Sequence, residues 1–388
     1  MSKMPLNKQQ QQAVEKTEGP CVILAGAGTG KSFTMVEKIN HLVNETKQYD
    51  PEEILCLTFS NEATNSLKNK IQDRLKTPKN VSVHTFHGFC ADVLREDGHL
   101  IKVDEGFEIL LPDDAKVLMH KYLDVSPYWC NRYITTIQSA KDFGITLEDI
   151  KDYYEKVKES ALALVKGDDI DEFEKEQRAR LQTLHLEPNG TKEERKEIRD
   201  EKKQIKEFLQ AYDEYVKFNG FIEAWEGYNK LKQEMNYLDF SDLNLLALQL
   251  FRQFGAQKYT ESFKYLVVDE FQDTNKLQFE LIEHIASHHN ITVVGDPNQA
   301  IYGFRGAYKE SFENFKAVFN INKDDVIFLD KSYRSKNKTL NTAQELIKNN
   351  YEDPTECFAI KNAHDEEGDK VKVYELVSKE EEARCVAE

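Results

Sequence analysis

The sequence predicts an α/β fold: a parallel β-sheet interrupted by a helical insertion and followed by a final strand and helix. Three observations predict it. Short apolar runs alternate with amphipathic helical patterns, which is the rhythm of βαβ units. That rhythm stops near Ala91 and resumes at Tyr265. The chain is also long enough, at 388 residues of which 40% are hydrophobic, to bury a sizeable core in two or three domains.

Each element has its own signal. Cys21-Val22-Ile23-Leu24 is a continuous apolar run of the kind buried on both faces in a parallel sheet. Gly-rich sequence follows it, then a helical pattern from Lys31 to Val43. Ile54 to Phe59 reads as a second strand, Glu62 to Leu75 as a helix and Val81 to His84 as a short third strand. From Ala91 to about Phe221 the pattern is helical and densely charged. Within it, Lys192-Glu193-Glu194-Arg195-Lys196-Glu197 mixes signs at helical spacing, as a solvated helix face does. Strands return at Tyr265–Asp269, Ile291–Gly295 and Val326–Leu329, with helices near Leu277–Ala286, after Ser335 and over the acidic stretch from Lys379. The domain reading is therefore 1–91 with 222–330 for the sheet and 92–221 for the helical insertion, with 331–388 as a final element.

Charge and composition narrow the function. Lys and Arg total 52 against 69 Asp and Glu, a formal charge of −17, which argues against coating nucleic acid by bulk attraction. A locally basic groove remains compatible with that balance, because attraction depends on where charges sit. No apolar run of about 18 residues is present, so no membrane span is expected. The start shows no apolar signal segment. The six cysteines form no Cys-x-x-Cys pair and stand among apolar neighbours, as buried reduced thiols of a cytoplasmic protein do.

Ala25-Gly26-Ala27-Gly28-Thr29-Gly30-Lys31-Ser32 matches the phosphate-loop pattern G-x-x-x-x-G-K-[ST], with Ala25 in the first glycine's place. A strand precedes it and a helix follows. Glycines let backbone amides turn inward around phosphate oxygens, and the helix N-terminus adds partial positive charge. Lys31 would reach the β- and γ-phosphates of ATP, and the Ser32 hydroxyl would ligate Mg²⁺. A second signal is Val267-Val268-Asp269-Glu270, two carboxylates at the end of a buried strand, where open α/β sheets bind ligands. Phosphoryl transfer needs one carboxylate for Mg²⁺ and one group to orient or deprotonate the attacking water. Asp269 suits the first role and Glu270 the second. Gln272 and Asp273 are placed to tie this strand end to adjacent loops.

With these residues in hand, the chain resembles the UvrD/Rep/PcrA type of superfamily 1 DNA helicase. Leu6-Asn7 with Gln10 is similar to the family's Q motif, Thr58–Ala63 to motif Ia and His84–Phe89 to motif Ib. Asp269–Asp273 looks like motif II, Val294–Ala307 like motif III and Ser332-Tyr333-Arg334-Ser335 like motif IV. The resemblance implies that the sheet is a RecA-like lobe (1A), the insertion its 1B subdomain and the C-terminal piece the start of lobe 2A. It implies that Gln10 reads the adenine, Gln299 senses the γ-phosphate, Tyr333 packs on the adenine and Arg334 contacts the γ-phosphate. Phe59, Asn61, Thr85, Phe86, His87, Tyr302, Phe304 and Arg305 match positions along the single-stranded DNA path. Stacking on aromatic faces contributes about 1–3 kcal/mol per base and tolerates any sequence, as a stepping motor requires. Core packing is the competing reading for Phe86 and Phe89.

Three departures qualify the match. Phe33 stands where the family has Arg, and Ser332 where motif IV has Asn. Nothing resembles motifs V and VI, the latter carrying an arginine finger worth on the order of 10³–10⁵ in rate. The expectation is thus an N-terminal portion of a longer helicase, lacking the rest of lobe 2A and subdomain 2B, that binds ATP and single-stranded DNA or its junctions with duplex but hydrolyses poorly. Alternatives are the helicase arm of a helicase–nuclease and a non-motor ATP switch, with RNA as a weaker candidate substrate. His284, His288 and His289 have metal-like spacing but no third ligand, and read as structural.

Overall fold

The computed structural model describes residues 5–165, 169–184, 191–300, 311–351, 353 and 357–387. Among them run strands β1 (Cys21–Ala25), β2 (Ile54–Thr58), β3 (Ser82–Thr85), β4 (Glu108–Ile109), β5 (Tyr237–Leu238), β6 (Tyr265–Val268), β7 (Ile291–Gly295), β8 (Val326–Leu329), β9 (Lys331–Ser332) and β10 (Lys361–Asn362). The chain divides into two compact units, Met1–Cys90 with Phe251–Glu388, and Ala91–Leu250.

The first unit holds a six-stranded sheet in the order β3-β2-β6-β7-β1-β8, with every neighbouring pair parallel. All six expected strands form. Their apolar runs are buried on both faces, as a parallel sheet covered by helices demands. Because all strands point one way, their C-terminal ends open on a single edge. β6 stops at Val268, one residue short of the expected Asp269, because the chain turns away at Glu270.

Four helices support this edge: α1 (Lys8–Glu15), α2 (Lys31–Asn40), α3 (Asn61–Leu75) and α4 (Phe86–Asp97). α1 opens with a capping box in which Asn7 and Gln10 bond each other's backbone. Fully buried Lys38 on α2 donates to the carbonyls of Ala13 and Lys16, at the C-terminal end of α1, which fixes α1 against α2. Burial depresses its ammonium to about 8. The helical pattern expected through Val43 changes character at His41, where a π-turn takes over to Glu45. Arg74 of α3 forks onto Glu37 of α2 at 2.6 and 2.9 Å.

Among its described residues the second unit is helical, as the loss of strand rhythm predicts, except for the two-residue parallel pair β4–β5. Its longest helix, Lys192–Glu234, buries Trp225 and Tyr228 against Met119, Ile134 and Ile137. The charged stretch at its start is almost wholly exposed. Beneath Tyr228 four charges meet: Lys141 lies 3.0 Å from Asp239 and 2.6 Å from Asp242, and Lys232 bonds the same two carboxylates. The two acids also accept each other's backbone amides.

The six cysteines are free thiols, five buried and Cys385 half-buried. No helix among the described residues is long and apolar enough to cross a membrane.

Candidate functional site

Between β1 and α2 the chain bends through Gly28 (φ +76°) and Gly30 (φ +89°), left-handed conformations that only glycine adopts without strain. Gly30 is the residue before the first turn of α2, so the helix N-terminus opens onto the bend. The Thr29 hydroxyl donates to the Gly26 carbonyl at 2.9 Å and closes the loop on itself. Lys31 reaches across to Glu270, with its ammonium 2.7 Å from Oε2. The sequence-predicted lysine and acid are therefore partners in space.

At the end of β6 the Asp269 amide still bonds the Leu57 carbonyl (2.9 Å), and the next residue leaves the sheet. Glu270 sits at φ +47°, a left-handed conformation that costs a non-glycine residue of order 1–3 kcal/mol and recurs at functional sites. Its amide bonds back to the Asp269 carboxylate (2.9 Å). Burial pushes the Asp269 carboxyl up to about 6; the negative Glu270 beside it adds to the rise, and Lys31 opposes it.

Gln272 joins this strand end to the next. Its amide nitrogen donates to Glu270 (2.8 Å), and its amide oxygen accepts from the Asp296 backbone just past β7 (3.0 Å). Asp296 in turn accepts from the Gln299 side chain at 2.7 Å. A hydrogen-bonded relay thus runs Lys31–Glu270–Gln272–Asp296–Gln299 across the ends of β1, β6 and β7. Burial also raises the Asp296 carboxyl, against the hydrogen bond from Gln299.

A second group of residues closes the other side of the loop. Gln10 is almost fully buried; its amide donates to the Thr29 carbonyl (3.2 Å) and accepts from the Asn7 backbone (3.1 Å). The Asn7 side chain donates to the Tyr333 hydroxyl (3.0 Å), and the Tyr333 backbone amide donates to the Gly28 carbonyl (2.8 Å). Tyr333 keeps 42% of its surface exposed, so its ring is open to a ligand, and Arg334 is exposed beside it.

The residues expected along a DNA path occupy another stretch of the same edge, beyond β2 and β3. Phe59 is half-buried and Asn61 is exposed at the start of α3. Thr85 caps α4 by accepting from the Gly88 amide (3.0 Å), and His87 is half-buried. Phe86 is only 4% exposed and Phe89 likewise, with Phe89 packed edge-on against Tyr259 and Phe263. Tyr302, Phe304 and Arg305 lie outside the described residues. His288 spends both ring nitrogens on the backbone, at the Phe263 carbonyl (2.8 Å) and the Asn290 amide (3.0 Å).

Two residues against the loop carry no site reading in the sequence. Ser332 is visible there only as a departure from a motif, and Ile360 carries no signal at all. Both touch the phosphate loop, through Ala27 and Gly26.

A bend of glycine-supplied amides at a helix N-terminus, a lysine, paired carboxylates and a neighbouring glutamine suit a triphosphate chelating a divalent cation. Comparison with known proteins agrees in kind. Residues 6–320 match the model described as UvrD/REP helicase N-terminal domain. An ATP-dependent DNA helicase PcrA of Staphylococcus aureus is 30% identical over 385 residues, covering 98% of this chain and 44% of the relative. The protein of that name from Staphylococcus epidermidis is also 30% identical, with 98% and 45% covered. The chain therefore spans less than half the length of these curated relatives. The sheet topology, the motif order and the extent of the match together make this chain a member of the UvrD/REP helicase N-terminal domain family.

Proposed function

We propose that this chain supplies the ATP-binding lobe of a motor that moves on single-stranded DNA and separates strands, as an ATP-dependent DNA helicase does. The observation that carries the reading is the relay from Lys31 to Gln299 around the glycine bend, which joins the phosphate side of the site to the end of β7. Residues just beyond that strand are among those expected to hold the DNA.

In this reading residues 1–91 and 222–330 are the first RecA-like lobe, residues 92–221 are the 1B insertion and the segment from 331 onward begins a second lobe. ATP lies with its phosphates in the bend from Ala25 to Ser32 and its base between Gln10 and Tyr333. Ser32 and Asp269 would hold Mg²⁺, which neutralises charge on the β- and γ-phosphates when bound. Lys31 exchanges its ion pair with Glu270 for the phosphates, and that exchange frees Glu270 to orient or deprotonate a water. Gln299 and Arg334 sense the γ-phosphate. Phe59, Asn61, Thr85, His87, Tyr302, Phe304 and Arg305 are assigned to the DNA path, and buried Phe86 to the core. Turnover by this chain alone is slow, because nothing in its sequence resembles the motif that carries the arginine finger.

Calorimetry with MgATP tests the site. The parent chain should bind and Lys31→Ala should lose at least about 100-fold in affinity, the loss of a charge-assisted phosphate contact in a site that leaves Glu270 unpaired. Equal affinity in the two would refute the assignment. Turnover with and without single-stranded DNA then separates a motor from a switch, since a switch would be indifferent to DNA.

A further inference from the structure

Three consecutive residues of the phosphate loop are gripped by one segment of chain, and Ser332 in that segment lies 305 residues beyond Ala27. Ile360 covers Gly26 so closely that a Cβ there would meet its Cδ1 at 2.1 Å. The Ser332 hydroxyl donates to the Ala27 carbonyl at 3.3 Å. The Tyr333 amide donates to the Gly28 carbonyl at 2.8 Å, and a Cβ on Gly28 would stand 2.9 Å from the Ser332 hydroxyl.

Ser332 is fully buried and uses its whole bonding capacity. Besides the bond to Ala27, its oxygen accepts from the amides of Arg334 (3.4 Å) and Ser335 (3.2 Å). A hydroxyl offers one donor and two acceptor positions, and all three are filled. One atom therefore ties the phosphate loop to the turn that carries Tyr333 and Arg334. The parallel pairing of β9 with β10, Ser332 opposite Asn362, holds Ile360 beside it, and Asn362 bonds the Ser335 carbonyl at 3.0 Å.

We propose that Ser332 and Ile360 are positioning residues of the nucleotide site, registering the phosphate loop against the Tyr333–Arg334 turn so that a triphosphate is preferred over a diphosphate. Neither residue need touch the nucleotide. The inference rests on the reading of Arg334 as the γ-phosphate contact. It predicts that loosening the clasp weakens the grip on the third phosphate more than the grip on the other two.

The test is calorimetry on this chain with MgADP and with magnesium adenylyl imidodiphosphate, a triphosphate analogue that resists hydrolysis. Ser332→Ala and Ile360→Ala should each cut the preference for the triphosphate about fivefold to tenfold, the effect of one lost hydrogen bond or an equivalent contact. Ser332→Thr, which keeps the hydroxyl, should restore it. Thermal unfolding of each variant reports fold integrity separately. If Ser332→Ala weakens both nucleotides equally, or neither, while Arg334→Ala abolishes the preference, the clasp is merely structural and the proposal falls. If Arg334→Ala leaves the preference intact, the γ-phosphate role of Arg334 falls and the proposal falls with it.

Discussion

Both units set lysines against carboxylates, and the two arrangements are opposite in kind. In the helical unit, Lys141 and Lys232 face Asp239 and Asp242 with side chains 1–12% exposed, two charges of each sign, each bonded to both opposites. At the phosphate loop one lysine meets two acids; Lys31 and Glu270 are 13% and 34% exposed, and Glu270 is held in a strained backbone conformation. Titration is perturbed in both places, so a shifted pKa does not separate them. Balance, access and strain do. The closed cluster has its charges matched, whereas the open one carries an excess negative charge that a divalent cation would offset. The same contrast holds at larger scale: the span Ala91–Leu250 has 35 acidic and 23 basic residues, most of the chain's surplus of acid, yet this buried cluster is neutral.

The largest expected effect lies in the closed cluster. Asp239→Asn leaves two buried lysines short of a counter-charge and should lower unfolding stability by about 3–5 kcal/mol in urea, with MgATP affinity unchanged. A loss below about 1 kcal/mol, or a change in affinity, would erase the distinction between the clusters. Burial alone would raise the Asp239 carboxyl, but the two lysines hold it well below the usual carboxylate range. Its contribution is therefore present above the ordinary carboxylate pKa and lost as pH falls below about 4.

Asp269 has the opposite sign. Its carboxyl is pushed up to about 6, so the folded chain takes up a proton before the unfolded chain does. The result is a cost of about 3 kcal/mol that develops as pH rises from about 4 to 6 and is absent at lower pH. Asp269→Asn should flatten this slope in urea midpoints measured at pH 4.5 and pH 7. Parallel slopes for parent and variant would show that the acid is not held against its charge.

The smallest effect sharpens the role of strain. Glu270→Gly relieves the left-handed backbone and should stabilise the chain by about 1 kcal/mol, although it removes the ion pair to Lys31. Differential scanning calorimetry reads the gain. A lower melting temperature would mean that the ion pair outweighs the backbone relief.

What is legible in the sequence is what is contiguous. The phosphate loop and the Asp269–Glu270 pair can be read because backbone amides and a strand-end carboxylate pair need adjacent residues. Gln272 can be placed beside them for the same reason, though its bond to the Asp296 amide cannot. Strand order is invisible to local pattern: β1 pairs with β7 and β8, elements more than 200 positions away. Lys141 finds Asp239 98 positions further along the chain, and in sequence it is one lysine among many. Aromatic residues are ambiguous for a related reason. Nothing in a hexapeptide distinguishes a ring for stacking bases from a ring for filling a core, and Phe86 is buried while Phe59 is only half so.

The three buried lysines among the described residues also provide a chemical handle. An amine-acylating reagent reaches exposed ammonium groups quickly, whereas Lys38 in the sheet unit and Lys141 with Lys232 in the helical unit are shut away from it. Their modification reports local opening, one residue for the sheet unit and two for the helical unit. Mass spectrometry of the labelled chain can therefore follow the melting of each half within a single tube.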